Sequence, residues 1–225
     1  VTHIDGFDDS LAHFDTLQST SLFESTLFLL SARTPQAITS SLKKENIFLF
    51  ENGTSYKKAL GNLSAPCIGS TTYLLLLAFG VKDLYLLGLD LALDSMTGST
   101  HSDGHFQAKT LDVESALQHK DTITFKDHLI QTTGNLQESV FTLPDWKLSI
   151  ESVNASSVGF KKQNQNVYNL SDGAAFSNTT AKEIATLDTS SYPNLIKNDI
   201  TKELSTLFTK KSSDTLTNEE VSLLK

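Results

Sequence analysis

Apolar residues in this chain come in short runs, each stopped by glycine, proline or a polar cluster, which is the rhythm of alternating strands and helices. Thr26-Leu-Phe-Leu-Leu30 predicts a strand, and Thr34-Pro35 then supplies an N-cap and a first-turn proline for a helix to about residue 44. Asn46-Ile-Phe-Leu-Phe50 reads as another strand, closed by an Asn52-Gly53 turn. The pattern is clearest between residues 65 and 92. A short strand meets the turn Gly69-Ser-Thr-Thr72, and the apolar run at 73–79 forms a helix that Gly80 stops. Leu84-Tyr-Leu-Leu-Gly-Leu89 follows as a strand buried on both faces and ending in Asp90. Further on, 95–104 is a polar loop, 111–119 a short helix and 121–125 a strand with β-branched alternation. Leu143-Pro-Asp-Trp-Lys147 opens a helix to about residue 158, and 165–169 is the last strand. Past residue 181, helical segments rich in Lys, Glu, Thr and Ser carry spaced leucines, among them Leu204 and Leu207.

This order predicts an α/β fold, a Rossmann-like sheet with flanking helices over 1–180, with a small helical extension over 181–225. The extension is read either as an acceptor-docking element or as a helix packing on the body of the protein. A length of 225 residues is ample for a core. The net charge of −8 argues against nucleic acid or an anionic membrane as partner, since both demand basic patches. It leaves room for a phosphorylated ligand, because backbone amides and hydroxyls can hold phosphate without a basic surface. One cysteine, Cys67, excludes an intrachain disulfide and fits a reducing compartment. No signal peptide or bilayer-length apolar run is visible, so a cytoplasmic location is expected.

Candidate chemistry gathers where strands would end. Gly69 permits a tight turn, and Ser70 and Thr71 would add hydroxyls to the free amides of a helix N-terminus, a seat for phosphate; Ser70 is equally a routine helix cap. Asp90 stands just past a strand's carboxyl end, where it would bind a ribose or sugar hydroxyl, hold a basic residue, or cap a loop. His101-Ser-Asp103-Gly-His105 offers a general base, a metal chelate or a solvated loop. Asn169, Ser171 and Gly173 end the last strand and would face the same crevice. There Asn169 pairs with a base or sugar and Gly173 admits a ligand to the backbone, unless the segment is an ordinary turn. A strand-end Asp5 would face it too, whereas Trp146 reads as helix–sheet packing rather than a sugar platform.

Several of these residues also carry a resemblance. Gly69-Ser-Thr-Thr72, Ala78-Phe-Gly-Val-Lys-Asp-Leu-Tyr-Leu-Leu-Gly-Leu-Asp-Leu-Ala92 and Thr100-His-Ser102 resemble the motility-associated factor (Maf) family. So does Val167-Tyr-Asn-Leu-Ser-Asp-Gly-Ala174, which is similar to that family's Tyr-Asn-Leu-Ser-x-Gly-Ala segment. The first segment is similar, more loosely, to the Gly-Ile-Asp-Phe region of CMP-sialic-acid-dependent sialyltransferases. The resemblance covers about residues 1–180, and the quoted segments are its specific part. It implies a glycosyltransferase that moves a nonulosonic acid, pseudaminic or legionaminic, from a CMP-activated sugar to Ser or Thr of flagellin. No cofactor or metal beyond that donor is implied. It selects His101 over His105 as the base, beside Asp90. It gives Gly69, Ser70, Thr71, Asn169, Ser171 and Gly173 to donor binding. The family's Gly-x-Gly-x-Ser-Leu nucleotide motif is absent. Val1-Thr-His-Ile-Asp5 looks like the strand end that follows it, so the chain is expected to begin inside the domain. Two rivals stand beside this reading. A pterin pyrophosphokinase-like enzyme would bind ATP with Mg²⁺ at Asp90 and Asp94, and a flagellin-binding module would keep the fold without turnover.

Overall fold

A computed structural model of the chain describes residues 1–4, 6, 14, 26–51, 66–101, 108–194, 196–211 and 217–223. Asp5, the Asn52-Gly53 turn, Ser102, Asp103 and His105 lie outside the described residues. The chain divides into two compact units, 1–64 with 190–225, and 65–189.

In the first unit three strands run parallel in the order β1 (Thr2–His3), β2 (Phe28–Ser31) and β3 (Ile47–Phe50), with Leu29 opposite both Thr2 and Phe48. Helix α1 (Gln36–Ser41) takes Pro35 as its N-cap, at φ −54° and ψ 141°, so Thr34 and Pro35 each stand one position earlier than expected. It stops before the expected residue 44, and a tight turn at Lys44–Asn46 leads into β3. Phe14, Phe28, Leu30, Ile38 and Leu42 form the core between sheet and helix. Helix α5 (Lys197–Lys211) packs on β3: the Phe208 ring lies 5.2 Å from Phe48, and Lys197 Nζ donates to Asn46 Oδ1 at 3.2 Å. For this helix the packing role is what the structure shows.

The second unit is built on β4 (Asp83–Leu86), β7 (Asn166–Asn169) and β8 (Thr180–Ala181), parallel in that order. Helices α2 (Ile68–Phe79) and α4 (Pro144–Phe160), with the short α3 (Val113–Gln118) between them in the chain, pack against each other; Leu74, Leu75, Leu77, Ile150 and Val153 are buried, as are Leu84, Leu86 and Val167 of the strands. The apolar run at 73–79 forms its helix as expected. Gly80 ends it in the left-handed region at φ 83°, with the amides of Gly80 and Val81 returning to the carbonyls of Leu77 and Leu76. Buried Gln165 ties the entry of β7 to this helix end, donating to Leu77 O at 3.1 Å and Val81 O at 2.7 Å.

Three features depart from the sequence pattern. Strand β4 ends at Leu86 rather than 89, because Gly88 turns away at φ 73° and leaves Leu87 69 % exposed. It is also buried on one face only: Leu84 and Leu86 point inward, while Tyr85 stacks on Tyr168 across the other face, ring centroids 5.0 Å apart. The expected strand at 121–125 is a pair of tight turns, Lys120–Thr122 and Phe125–Asp127, with Phe125 exposed. Among the described residues, no strand pairs with this segment. The pairing occurs later, in the antiparallel hairpin of β5 (Ile130–Thr133) and β6 (Ser139–Thr142).

Candidate functional site

Parallel β4 and β7 end side by side, and the segments that leave them, 87–94 and 170–174, form the walls of a crevice at the carboxyl edge of the sheet. A cavity of about 410 Å³ opens there, lined among others by Asp90, Asp94, Thr97, His101, Asp172 and Gly173. Of the residues selected from the sequence, the structure therefore brings Asp90, His101 and Gly173 together.

The walls are joined backbone to backbone. Ala174 N donates to Asp90 O at 2.8 Å, and a Cβ on Gly173 would overlap the carbonyl and Cα of Asp90. Glycine is needed here for the approach of one wall to the other. Asp90 itself is exposed, so burial imposes no partner on its carboxylate. Leu91 next to it sits in the left-handed region at φ 47°, an uncommon place for a residue with a bulky side chain. Thr142 Oγ1 donates to its carbonyl at 2.6 Å, and Leu93 N donates to Phe141 O at 2.8 Å.

His101 closes another side of the cavity. Its Nδ1 lies 3.1 Å from Thr100 Oγ1, its ring meets Trp146 edge-on at 5.9 Å, and Ser99 Oγ donates to its carbonyl at 2.7 Å. If Nδ1–H donates to Thr100 Oγ1, the ring lone pair lies on Nε2; in the opposite tautomer Nδ1 accepts from Thr100 and Nε2 carries the proton. Trp146 thus braces the histidine. The Asp94 carboxylate accepts from the amides of Met96 at 3.0 Å and Thr97 at 2.7 Å and from Thr97 Oγ1 at 2.8 Å. Chiefly through Thr97, these bonds hold its pKa below the usual carboxylate value. Among the described residues, no three His, Cys, Asp or Glu side chains converge as a metal site.

The remaining selected residues stand outside the cavity lining. Gly69, Ser70 and Thr71 are the first turn of α2 rather than a loop before it. Ser70 is fully buried and closes a reciprocal cap with Cys67: its Oγ donates to Cys67 O at 3.0 Å and accepts from Cys67 N at 3.3 Å. Thr71 is equally buried. What this turn offers a ligand is the amides of Ile68 and Gly69, which no helix carbonyl can satisfy. Gly69 rests against the tip of Leu89, which places this helix start beside the end of β4. Asn169 is buried with its amide spent at both ends, donating to Ala174 O at 3.2 Å and accepting from Ser171 N at 3.1 Å. Ser171 is also buried, and its hydroxyl has no hydrogen-bond partner among the described residues.

No family model and no curated protein matches the chain. Among solved structures, that of the Maf glycosyltransferase from Magnetospirillum magneticum AMB-1 is similar at a TM-score of 0.58 and 15 % identity over 92 % of this chain. The fold is Maf-like. This chain spans 29 % of the length of that protein's chain.

Asn135 and Thr142 escaped the sequence reading. The Asn135 side chain donates to Asn169 O at 2.9 Å and Ser171 O at 2.7 Å, its backbone amide donates to Gly173 O at 2.9 Å, and Gln137 Nε2 donates to Asp172 Oδ2 at 2.8 Å. The turn of the β5–β6 hairpin is thereby stitched to one wall, while Thr142 at its other end holds the second. The available signal was Gly134-Asn135 between two β-branched stretches, a hairpin-turn pattern.

Proposed function

We propose that this chain is the sugar-transferring domain of a glycosyltransferase that moves a nonulosonic acid from a CMP-activated donor to a Ser or Thr hydroxyl of flagellin. The cavity at the carboxyl edge of β4 and β7, with Asp90 and His101 in one lining, carries this reading. The likeness in fold and the Maf-like segments around these same residues support it.

In the proposed reaction the acceptor oxygen bonds to the anomeric carbon, the bond from that carbon to the phosphate oxygen breaks, and CMP leaves with the electron pair. The acceptor proton passes to His101 Nε2 while its Nδ1–H is held by Thr100. Asp90, exposed in the lining, accepts from sugar hydroxyls. Carboxylates of Asp90, Asp94 and Asp172 around the cavity disfavour an anionic phosphate there. The phosphate is therefore placed against the free amides of Ile68 and Gly69, with the acceptor on the His101 side.

Titration calorimetry with CMP, the CMP-activated sugar and ATP tests the ligand class. Binding of the first two without metal is expected, whereas ATP binding that requires Mg²⁺ would instead favour the pyrophosphokinase rival. In a transfer assay on flagellin, His101→Asn should lower kcat by about 100-fold or more, the usual worth of a positioned base, with donor affinity retained. Full transfer by that variant removes His101 from the mechanism.

A further inference from the structure

We infer that Thr142 is a positioning residue that sets Asp90 in the cavity by holding Leu91 in its left-handed conformation, an inference that rests on the transferase reading for its activity arm only. An L-residue with a side chain leaves the left-handed region unless its surroundings over-determine it. Here the segment is gripped at successive points: Asp90 O by Ala174 N at 2.8 Å, Leu91 O by Thr142 Oγ1 at 2.6 Å, and Leu93 N by Phe141 O at 2.8 Å. Only the middle grip is a side chain, and it is fully buried. Valine would fill the same space as threonine, so packing alone does not call for a hydroxyl here. The local outcome is the placement of Asp90, Ala92 and Leu93 in one cavity lining. An extended residue at 91 would send neighbours to opposite sides. The strain is stored directly beside the carboxylate that faces the ligand.

The test compares Thr142→Val, Thr142→Ser, Leu91→Gly and the double variant Thr142→Val with Leu91→Gly, all in the full chain. Transfer from CMP-pseudaminic acid to flagellin supplies the activity arm, and the residue 91 φ from NMR couplings and carbon shifts supplies the conformational arm. Thr142→Val should move Leu91 out of the left-handed region and lower kcat/KM about 10-fold or more, as a misplaced catalytic side chain does. Thr142→Ser, which keeps the hydroxyl, should retain both properties. Glycine is at ease with positive φ, so in the Leu91→Gly background the valine substitution should cost about 3-fold or less. If Thr142→Val fails to fold, the comparison of Leu91→Gly with the double variant decides the same point. A Leu91 that stays left-handed in Thr142→Val overturns the inference, whatever happens to transfer. A wild-type chain without transfer sinks the transferase reading instead, and the NMR arm still settles the role of Thr142.

Discussion

Two glycine-bearing segments lead into the crevice, and they behave in opposite ways. At the start of α2, Gly69 faces the flexible tip of Leu89, and the neighbouring Ser70 is spent on a cap with Cys67. At the end of β7, Gly173 faces the backbone of Asp90, and the residues around it are tied to the β5–β6 hairpin. Both segments looked like ligand-binding turns in the sequence. The difference teaches that a glycine's meaning lies in what its missing Cβ would touch. A side-chain tip can yield; a strand-end backbone in a joined pair of walls cannot.

The sharpest way to break the contrast is Gly173→Ala. The added carbon must push the walls apart, at about 3 kcal/mol by the usual cost of overpacking, and donor binding should weaken with it. Chemical denaturation and calorimetry on one preparation check both outcomes, and a variant as stable as wild type would contradict the close approach. Next comes Asn135→Ala. It removes the side-chain donor to Ser171 O and one of the two donors to Asn169 O, which keeps Lys182 N at 3.0 Å, and should cost about 1 kcal/mol. Hydrogen exchange should show the loss concentrated at 169–175 rather than spread through α2. On the other side of the comparison, Ser70→Ala removes a helix cap at about 1 kcal/mol, with CMP affinity unchanged. A clear fall in that affinity would restore Ser70 as a ligand donor. Gly69→Ala should be smallest, within about 0.5 kcal/mol, since better helix propensity offsets the displacement of Leu89; thermal melting is sufficient to see it.

The α2 helix was legible because its signals are local: an apolar run and a terminal glycine specify it without help from distant chain. The same locality made Asp90 and Gly173 visible as strand-end residues and His101 as part of a polar loop. What escaped was set by contacts distant in sequence. Nothing near Thr142 reveals that its hydroxyl meets Leu91, and nothing near Asn169 reveals that Asn135 occupies the carbonyls around it. The strand expected at 121–125 failed for the same reason in reverse, since alternation makes a strand only when a partner strand is within reach. In this crevice, local pattern marked the residues on the rim, and non-local hydrogen bonds determine how the rim is held.

A final test separates the wall held by distant partners from the turn that holds itself. Among the described residues, the Asp94 carboxylate accepts from Met96 and Thr97, within its own turn, and those bonds lower its pKa beneath the ordinary 3.8. A carboxyl whose folded pKa is depressed adds stability above its unfolded value and loses it as pH falls through the folded one. The turn should therefore be indifferent to pH through the neutral range and loosen only below 3.8. Following the Met96 and Thr97 amide shifts against pH tests this, and a midpoint at or above 3.8 would refute it. Because Asp94 is exposed, its loss should leave the melting temperature nearly unchanged. The Asn135 and Thr142 contacts involve no titrating group, so the Leu91 and Gly173 amides should hold their positions while the Asp94 turn opens. If both walls loosened together on acidification, the two would be one cooperative unit, and the distinction between self-held and distantly held segments would fall.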